Sequence, residues 1–279
     1  MPAVVFLHAF PLTHQMWRPQ VAALPPGWTA LTPDFRGFGD APPDAGGTVR
    51  DVQASLDDYA ADVVNHMDAA GMDRAVFCGC SMGGYTALAL LRRYPARVAG
   101  LVLADTKASA DTEQARVSRR AMLELLDREG PSAVTASMLP RLIGPSTKAN
   151  RPAVMPAVSA LAARATQSGI GHAVVRMLNR PDASAELAVF RGPVLIVVGE
   201  EDELTPVSES EAMHALVPGS RLVVIPGAGH LSNLEAPQAF NAALAGFLTE
   251  RLVHVPEPRL SAEASAQAEA PSPEPRDVP

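Results

Sequence analysis

The sequence predicts an α/β fold: a mostly parallel, doubly wound sheet with an all-helical segment inserted into it. Three observations predict it. Short continuous apolar runs recur along the chain, and segments of helical period separate them, as expected for buried parallel strands joined by crossover helices. Between residues 107 and 190 the strand pattern lapses and only helical stretches remain. The apolar share is 47% over 279 residues, enough for a sizeable core.

In chain order, Pro2 to Leu7 reads as an interior strand that runs into His8-Ala9-Phe10-Pro11. Residues 13–24, with Trp17, read as a short helix or loop. Thr29 to Thr32 is a second strand, followed by Pro33-Asp34-Phe35-Arg36-Gly37-Phe38-Gly39, in which Arg36 and Asp34 are expected to form a structural ion pair. Pro42, Pro43, Gly46 and Gly47 mark a surface loop over 40–47. Apolar residues at Leu56, Tyr59, Ala60, Val63 and Met67 give Ser55 to Ala70 a helical period. Arg74 to Cys78 is a strand, 82–94 a helix stopped by Pro95, and Val98 to Ala104 a strand ending at Asp105. Within 107–190, residues 110–128 and 153–168 read as helices. Strand character returns at Pro193 to Val198 and at Arg221 to Ile225, with a helix at 208–217 between them. Gly227-Ala228-Gly229-His230 and a helix over Pro237 to Leu252 follow. The expected organisation is a core of 1–106 and 191–254, with 107–190 as a helical cap over the carboxyl ends of the strands, where sites in such sheets lie. Residues 255–279, rich in Pro, Ala, Ser and Glu, read as a disordered tail.

A net charge of −7 disfavours nucleic acid and anionic membrane surfaces as partners. No run approaches the roughly 18 apolar residues that span a bilayer. The apolar start carries no basic residue before Arg18, unlike a secretory signal. Cys78 and Cys80 match neither a zinc spacing nor a disulfide framework and read as buried thiols in a reducing cytoplasm. Neither a metal-ligand cluster nor a dinucleotide glycine fingerprint is present in the sequence, so no cofactor is expected, and the partner is a small molecule. The oligomeric state is left open.

Gly79-x-Ser81-x-Gly83 lies between a strand and a helix. A serine on so tight a turn projects its hydroxyl above the sheet, and a Cβ at either flanking position would crowd it. Serine needs a base, and the base an orienting carboxylate. Of the seven histidines only His230 follows a strand directly among glycines. Asp202, past the strand at 193–198 and before Thr205-Pro206, is the leading carboxylate, with Asp105 its rival. Met82 N–H, directly after the serine, and Phe10, in the loop after the first strand, are the candidate donors to an oxyanion. Residues of the cap, with Trp17, Phe38 and Met82, are the candidate walls of an apolar pocket.

Taken together, His8-Ala9-Phe10-Pro11, Asp34-Phe35-Arg36-Gly37-Phe38-Gly39, Gly79-Cys80-Ser81-Met82-Gly83-Gly84, Gly199-Glu200-Glu201-Asp202 and Gly229-His230 with Glu235-Ala236-Pro237 make the chain resemble the α/β-hydrolase superfamily over roughly residues 3–252. It looks most like the small esterase and 3-oxoadipate enol-lactonase-like members, with cofactor-free haloperoxidases close by. The resemblance implies Ser81 as nucleophile, His230 as base, Asp202 as acid, and Phe10 with Met82 as oxyanion hole. Ala9 and Ala41 depart from the family's usual glycine and serine. The chain also starts at what would be the family's third strand, so the usual leading hairpin is missing; the expectation is a bare sheet edge or a start further upstream. The activity implied is metal-free hydrolysis of a small ester or lactone through an acyl-enzyme. Perhydrolase or haloperoxidase chemistry, C–C bond hydrolysis and a catalytically silent binding protein are the rivals. Dehalogenase and epoxide hydrolase chemistry would need an aspartate at position 81.

Overall fold

The computed structural model describes residues 1–44 and 54–252. Among them, six strands form one sheet in which every pairing is parallel: β1 Ala3–Leu7, β2 Thr29–Leu31, β3 Ala75–Cys80, β4 Val98–Ala104, β5 Val194–Gly199 and β6 Arg221–Ile225. Their order is β2-β1-β3-β4-β5-β6. The chain leaves β1 toward one edge for β2, then returns to the far side of β1 for β3. That reversal opens a crevice at the carboxyl ends of β1 and β3, where open α/β sheets bind ligands.

The helices are α1 Arg18–Ala22, α2 Leu56–Ala69, α3 Met82–Arg93, then α4 Glu113–Glu129, α5 Pro131–Leu142, α6 Pro145–Asn150, α7 Val154–Ala162, α8 Gln167–Leu178 and α9 Ser184–Val189 between β4 and β5. After β5 come α10 Val207–Leu216, α11 Ser232–Glu235 and α12 Pro237–Leu252. Ser55 starts α2 with a capping box: its hydroxyl accepts from the first turn while Asp58 reaches back to its N–H.

Successive strand residues point to opposite faces, and both faces are buried. Val5, Leu7, Phe77, Leu101 and Ile196 pack with Leu56 and Tyr59 of α2 and Leu88 of α3. Val4, Phe6, Val76, Cys78, Val102 and Leu195 pack with Trp17 and with Phe240 and Phe247 of α12. Each such fully buried side chain contributes roughly 1.5–3 kcal/mol, so neither face could be left open to water.

Two expectations need correcting. The helical stretch 153–168 is broken into α7 and α8, because the chain between them pairs with the 37–39 turn. Thr166 N–H donates to the Gly37 carbonyl at 2.9 Å, and the Thr166 hydroxyl then caps α8 by accepting from Gly169 N–H at 3.0 Å. Nor do Arg36 and Asp34 pair. Asp34 accepts from the His14 N–H and ring, each at 2.7 Å, and from Asp40 N–H, whereas Arg36 reaches outward to Asp62 and Asp44. The His14 N–H and ring and the Asp40 N–H occupy both oxygens of the Asp34 carboxylate, leaving Arg36 to pair elsewhere. The expected loop 40–47 is described only as far as Asp44, and the tail 255–279 lies outside the described residues.

Candidate active site

Between β3 and α3 the backbone at Ser81 enters the left-handed region, with φ of +53°. Its N–H donates to the Ala104 carbonyl at 3.0 Å. Its carbonyl accepts from Gly84 and Tyr85 N–H and from the Thr106 hydroxyl. The strain of a non-glycine residue in this region is held by those four bonds. The two flanking glycines are required by contact. A Cβ on Gly79 would lie 2.2 Å from the Gly83 carbonyl oxygen, and one on Gly83 would lie 2.0 Å from that of Leu7.

The Ser81 hydroxyl is 2.8 Å from His230 Nε2, and His230 Nδ1 is 2.8 Å from Asp202 Oδ2. The Asp202 carboxylate also accepts from Leu204 N–H at 2.8 Å, Thr205 N–H at 3.0 Å and the Thr205 hydroxyl at 2.7 Å. A carboxylate facing Nδ1 makes that nitrogen the protonated one and leaves Nε2 to accept from the serine. Burial works against a charged His230, but the Asp202 carboxylate outweighs it and holds the imidazole above its ordinary pKa. Burial likewise pushes Asp202 up, yet His230 and the Thr205 donors hold it below the usual carboxylate value.

Asp105, the rival acid, lies near His230 but makes no hydrogen bond to its ring. Its oxygens accept from Gly199 N–H, Ser232 N–H and the Ser232 hydroxyl. Burial first, and the nearby Asp202 charge second, raise it well above an ordinary aspartate. Met82 opens α3, so no earlier turn of that helix supplies an acceptor for its N–H. Phe10 lies just beyond β1. The preceding His8 is buried and neutral, its pKa pushed down to about 4 by burial. Its ring meets the Ala9 carbonyl through Nδ1 and accepts from Phe35 N–H at Nε2, tying the loop after β1 to the loop after β2.

Above Ser81 and His230 opens a cavity of about 780 Å³, part of it open to solvent. Phe10, Tyr85 and Thr205 line it beside Ser81 and His230. Met122, Met138, Met177 and Leu204 supply apolar walls, and Lys107, Asp111, Arg119 and Arg141 the polar ones. Trp17 and Phe38 are not among its lining residues. Trp17 is wedged between Phe6 and Phe240 at centroid distances of 5.2 and 6.0 Å, on the far face of the sheet from α3. Phe38 packs edge-on against Phe10 at 6.2 Å and His8 at 5.3 Å, behind the cavity wall. The Met82 side chain is likewise in the core.

The charge run at 200–203 is not a solvated loop throughout. Glu201 accepts from the N–H and hydroxyl of Ser146 in α6. Glu235 accepts from Leu231 N–H at 3.1 Å and from Gly144 N–H at 2.9 Å. Two glutamates, one beside Asp202 and one beyond His230, thus tie the segment around Gly144 to the loops of both residues. Thr205 and Glu235, which in the sequence mark only a turn and a motif, prove to hold Asp202 and the Gly144 segment. The cavity walls from 115 to 177 fall within the segment read as a cap, but no motif in the sequence singles out the individual residues.

A family model described as alpha/beta hydrolase fold matches residues 2–237. The chain is 32% identical over 250 residues to 3-oxoadipate enol-lactonase 1 of Acinetobacter baylyi, covering 88% of each. Among solved structures, a thermophilic esterase from Thermogutta terrifontis superposes with a TM-score of 0.83 at 35% identity, over 89% of this chain and 90% of that one. The enol-lactonase from Burkholderia xenovorans LB400 superposes with a TM-score of 0.80 at 27% identity, over 89% and 92%.

Proposed function

We propose, from the premise that this chain belongs to the α/β-hydrolase fold family, that it is a serine hydrolase cleaving a small carboxylic ester or lactone through an acyl-enzyme. The reading is carried by the relay Ser81 Oγ, His230, Asp202, with 2.8 Å at each contact, opening into a cavity. Relatives named as an esterase and as enol-lactonases support the ester or lactone class.

In this mechanism Ser81 Oγ attacks the acyl carbon while His230 Nε2 takes its proton. The charge that develops on the acyl oxygen meets the N–H groups of Met82 and Phe10. Collapse breaks the bond to the leaving oxygen, which takes the proton back from Nε2. For a lactone that oxygen stays tethered to the acyl chain. Water then gives its proton to Nε2 as it attacks the acyl-enzyme, and Ser81 leaves with the proton returned. Asp202 keeps Nδ1–H in place and favours the transient imidazolium, and the six helices α4–α9 act as the cap over the acyl group. All reacting groups come from the chain and from water.

Purified protein is expected to cleave p-nitrophenyl acetate or butyrate, and Ser81→Ala to lower kcat by about 10⁴-fold or more. Equal rates in variant and parent would overturn the mechanism. A panel of esters and lactones of graded acyl length, run with and without hydrogen peroxide, ranks the substrates and reads out any peracid formed.

A further inference from the structure

Asp105 is a buried carboxylate beside the triad that the mechanism above leaves unused. It is fully buried at the end of β4, with φ of +45°, a left-handed conformation that a non-glycine residue adopts under constraint. Its N–H donates to the Val197 carbonyl in β5 at 2.9 Å. Its Oδ1 accepts from Gly199 N–H at 2.8 Å, three residues before Asp202. Its Oδ2 accepts from Ser232 N–H at 3.1 Å and the Ser232 hydroxyl at 2.5 Å, two residues after His230. One side chain therefore spans the ends of β4 and β5 and the histidine loop. Backbone donors meet both of its oxygens. An amide would offer an acceptor to only one of them and turn a second donor on the other. Placing a carboxylate here, buried beside Asp202, is costly in a low dielectric, and packing alone would favour a residue that never ionises.

We propose that Asp105 is a positioning residue: it clasps the loop that leads to Asp202 against the loop that carries His230, and so sets the separation across which acid and imidazole bond. This rests on Ser81 and His230 being the reacting pair. The groups facing Asp105 are Asp202 from the loop after β5, His230 from the loop after β6, and Cys80 from β3. Of these, Asp202 contributes most to holding His230 above its ordinary pKa, by charge and by the direct hydrogen bond. Loosening the clasp weakens that contact, so the imidazolium is held less well and the acid limb of kcat/KM moves to lower pH.

Asp105→Asn is expected to lower kcat by about 10- to 100-fold, as small misplacements of a reacting group do, with KM within about twofold. The acid limb is expected to shift downward together with it, partly because the Asp105 charge itself raises His230. The limb of Ser232→Ala, which keeps that charge, therefore reads the clasp alone. A variant that melts as a folded protein and keeps the parental kcat and acid limb overturns the proposal. Should Asp105→Asn fail to fold, Ser232→Ala removes one of the three donors without touching β4. It is expected to cost about 3- to 10-fold in kcat at unchanged KM, and parental kcat and limb in that variant are equally fatal. The low-field Nδ1 proton of His230, followed by NMR, judges the clasp without turnover. It is expected to move upfield in either variant, and an unmoved resonance refutes the clasp. Ser81→Ala at parental rate would instead overturn the enzyme reading, while that resonance still decides the role of Asp105.

Discussion

Replacing Asp202 by asparagine tests the relay at its most buried link. In the parent, Oδ1 takes the Leu204 and Thr205 N–H groups while Oδ2 takes the Thr205 hydroxyl and His230 Nδ1. The backbone donors are fixed, so the asparagine oxygen occupies the Oδ1 place and its NH₂ replaces Oδ2. The Thr205 hydroxyl can rotate to accept, and the fold survives. His230 cannot answer in the same way: an N–H facing Nδ1 forces the proton to Nε2, the nitrogen that must accept from Ser81. The variant therefore holds the right atoms in the wrong tautomer. The expected loss is about 10⁴-fold in kcat, about 5.5 kcal/mol of transition-state stabilisation, with KM little changed. Stopped-flow hydrolysis of p-nitrophenyl butyrate reads it directly, since the acylation burst should vanish along with the steady state. A folded Asp202→Asn protein that keeps more than about a tenth of parental kcat would refute the relay.

Further predictions concern the same cluster. His230 is shifted up from 6.5 despite its burial, and only the neutral ring can take the serine proton. The kcat/KM profile should therefore rise with pH along a limb whose midpoint lies above about 6.5, and a midpoint below that value would contradict the Asp202 contact. The same upward shift stabilises the fold. That contribution is complete below the unfolded-state pKa and is lost as pH rises through the folded one. Gly229→Ala would place a Cβ 2.2 Å from the Gly144 nitrogen and 2.8 Å from its Cα, both backbone atoms that can give way only by moving the segment around Gly144. A loss of about 1–3 kcal/mol in urea unfolding is expected, and parental stability would show the approach to be looser than drawn. Cys78 and Cys80 are buried, and burial raises both thiols well above the usual cysteine value. Ellman's reagent should leave the native protein untouched over minutes and react with both thiols in guanidinium; fast stoichiometric reaction of the native form would contradict their burial.

Features whose information is local could be read from the residues alone. Runs such as Ala3-Val-Val-Phe-Leu7 and Val98 to Ala104 have nowhere to go but a sheet covered on both sides, and their bounds were legible to within a residue or two. The elbow was legible because glycine at 79 and 83 is a backbone requirement, and the structure shows the carbonyls that impose it. His230 stands out among seven histidines by its loop, and the structure places its Nε2 2.8 Å from the Ser81 hydroxyl. What the sequence left open was every choice that depends on long-range approach. Asp202 and Asp105 both end a strand with a free carboxylate, and only the twist and order of β4, β5 and β6 turn the first toward His230 and the second toward Gly199 and Ser232. Trp17 and Phe38 sit beside motifs in the chain, yet packing draws such large apolar side chains into the layers behind the cavity. The cavity's own walls come from helices whose period says that one face is buried, but not against what. That partner is decided when Thr166 leaves its helix to pair with Gly37, and Glu201 and Glu235 fasten the Gly144 segment down. Those bonds join residues far apart in the chain, so no local pattern could encode them.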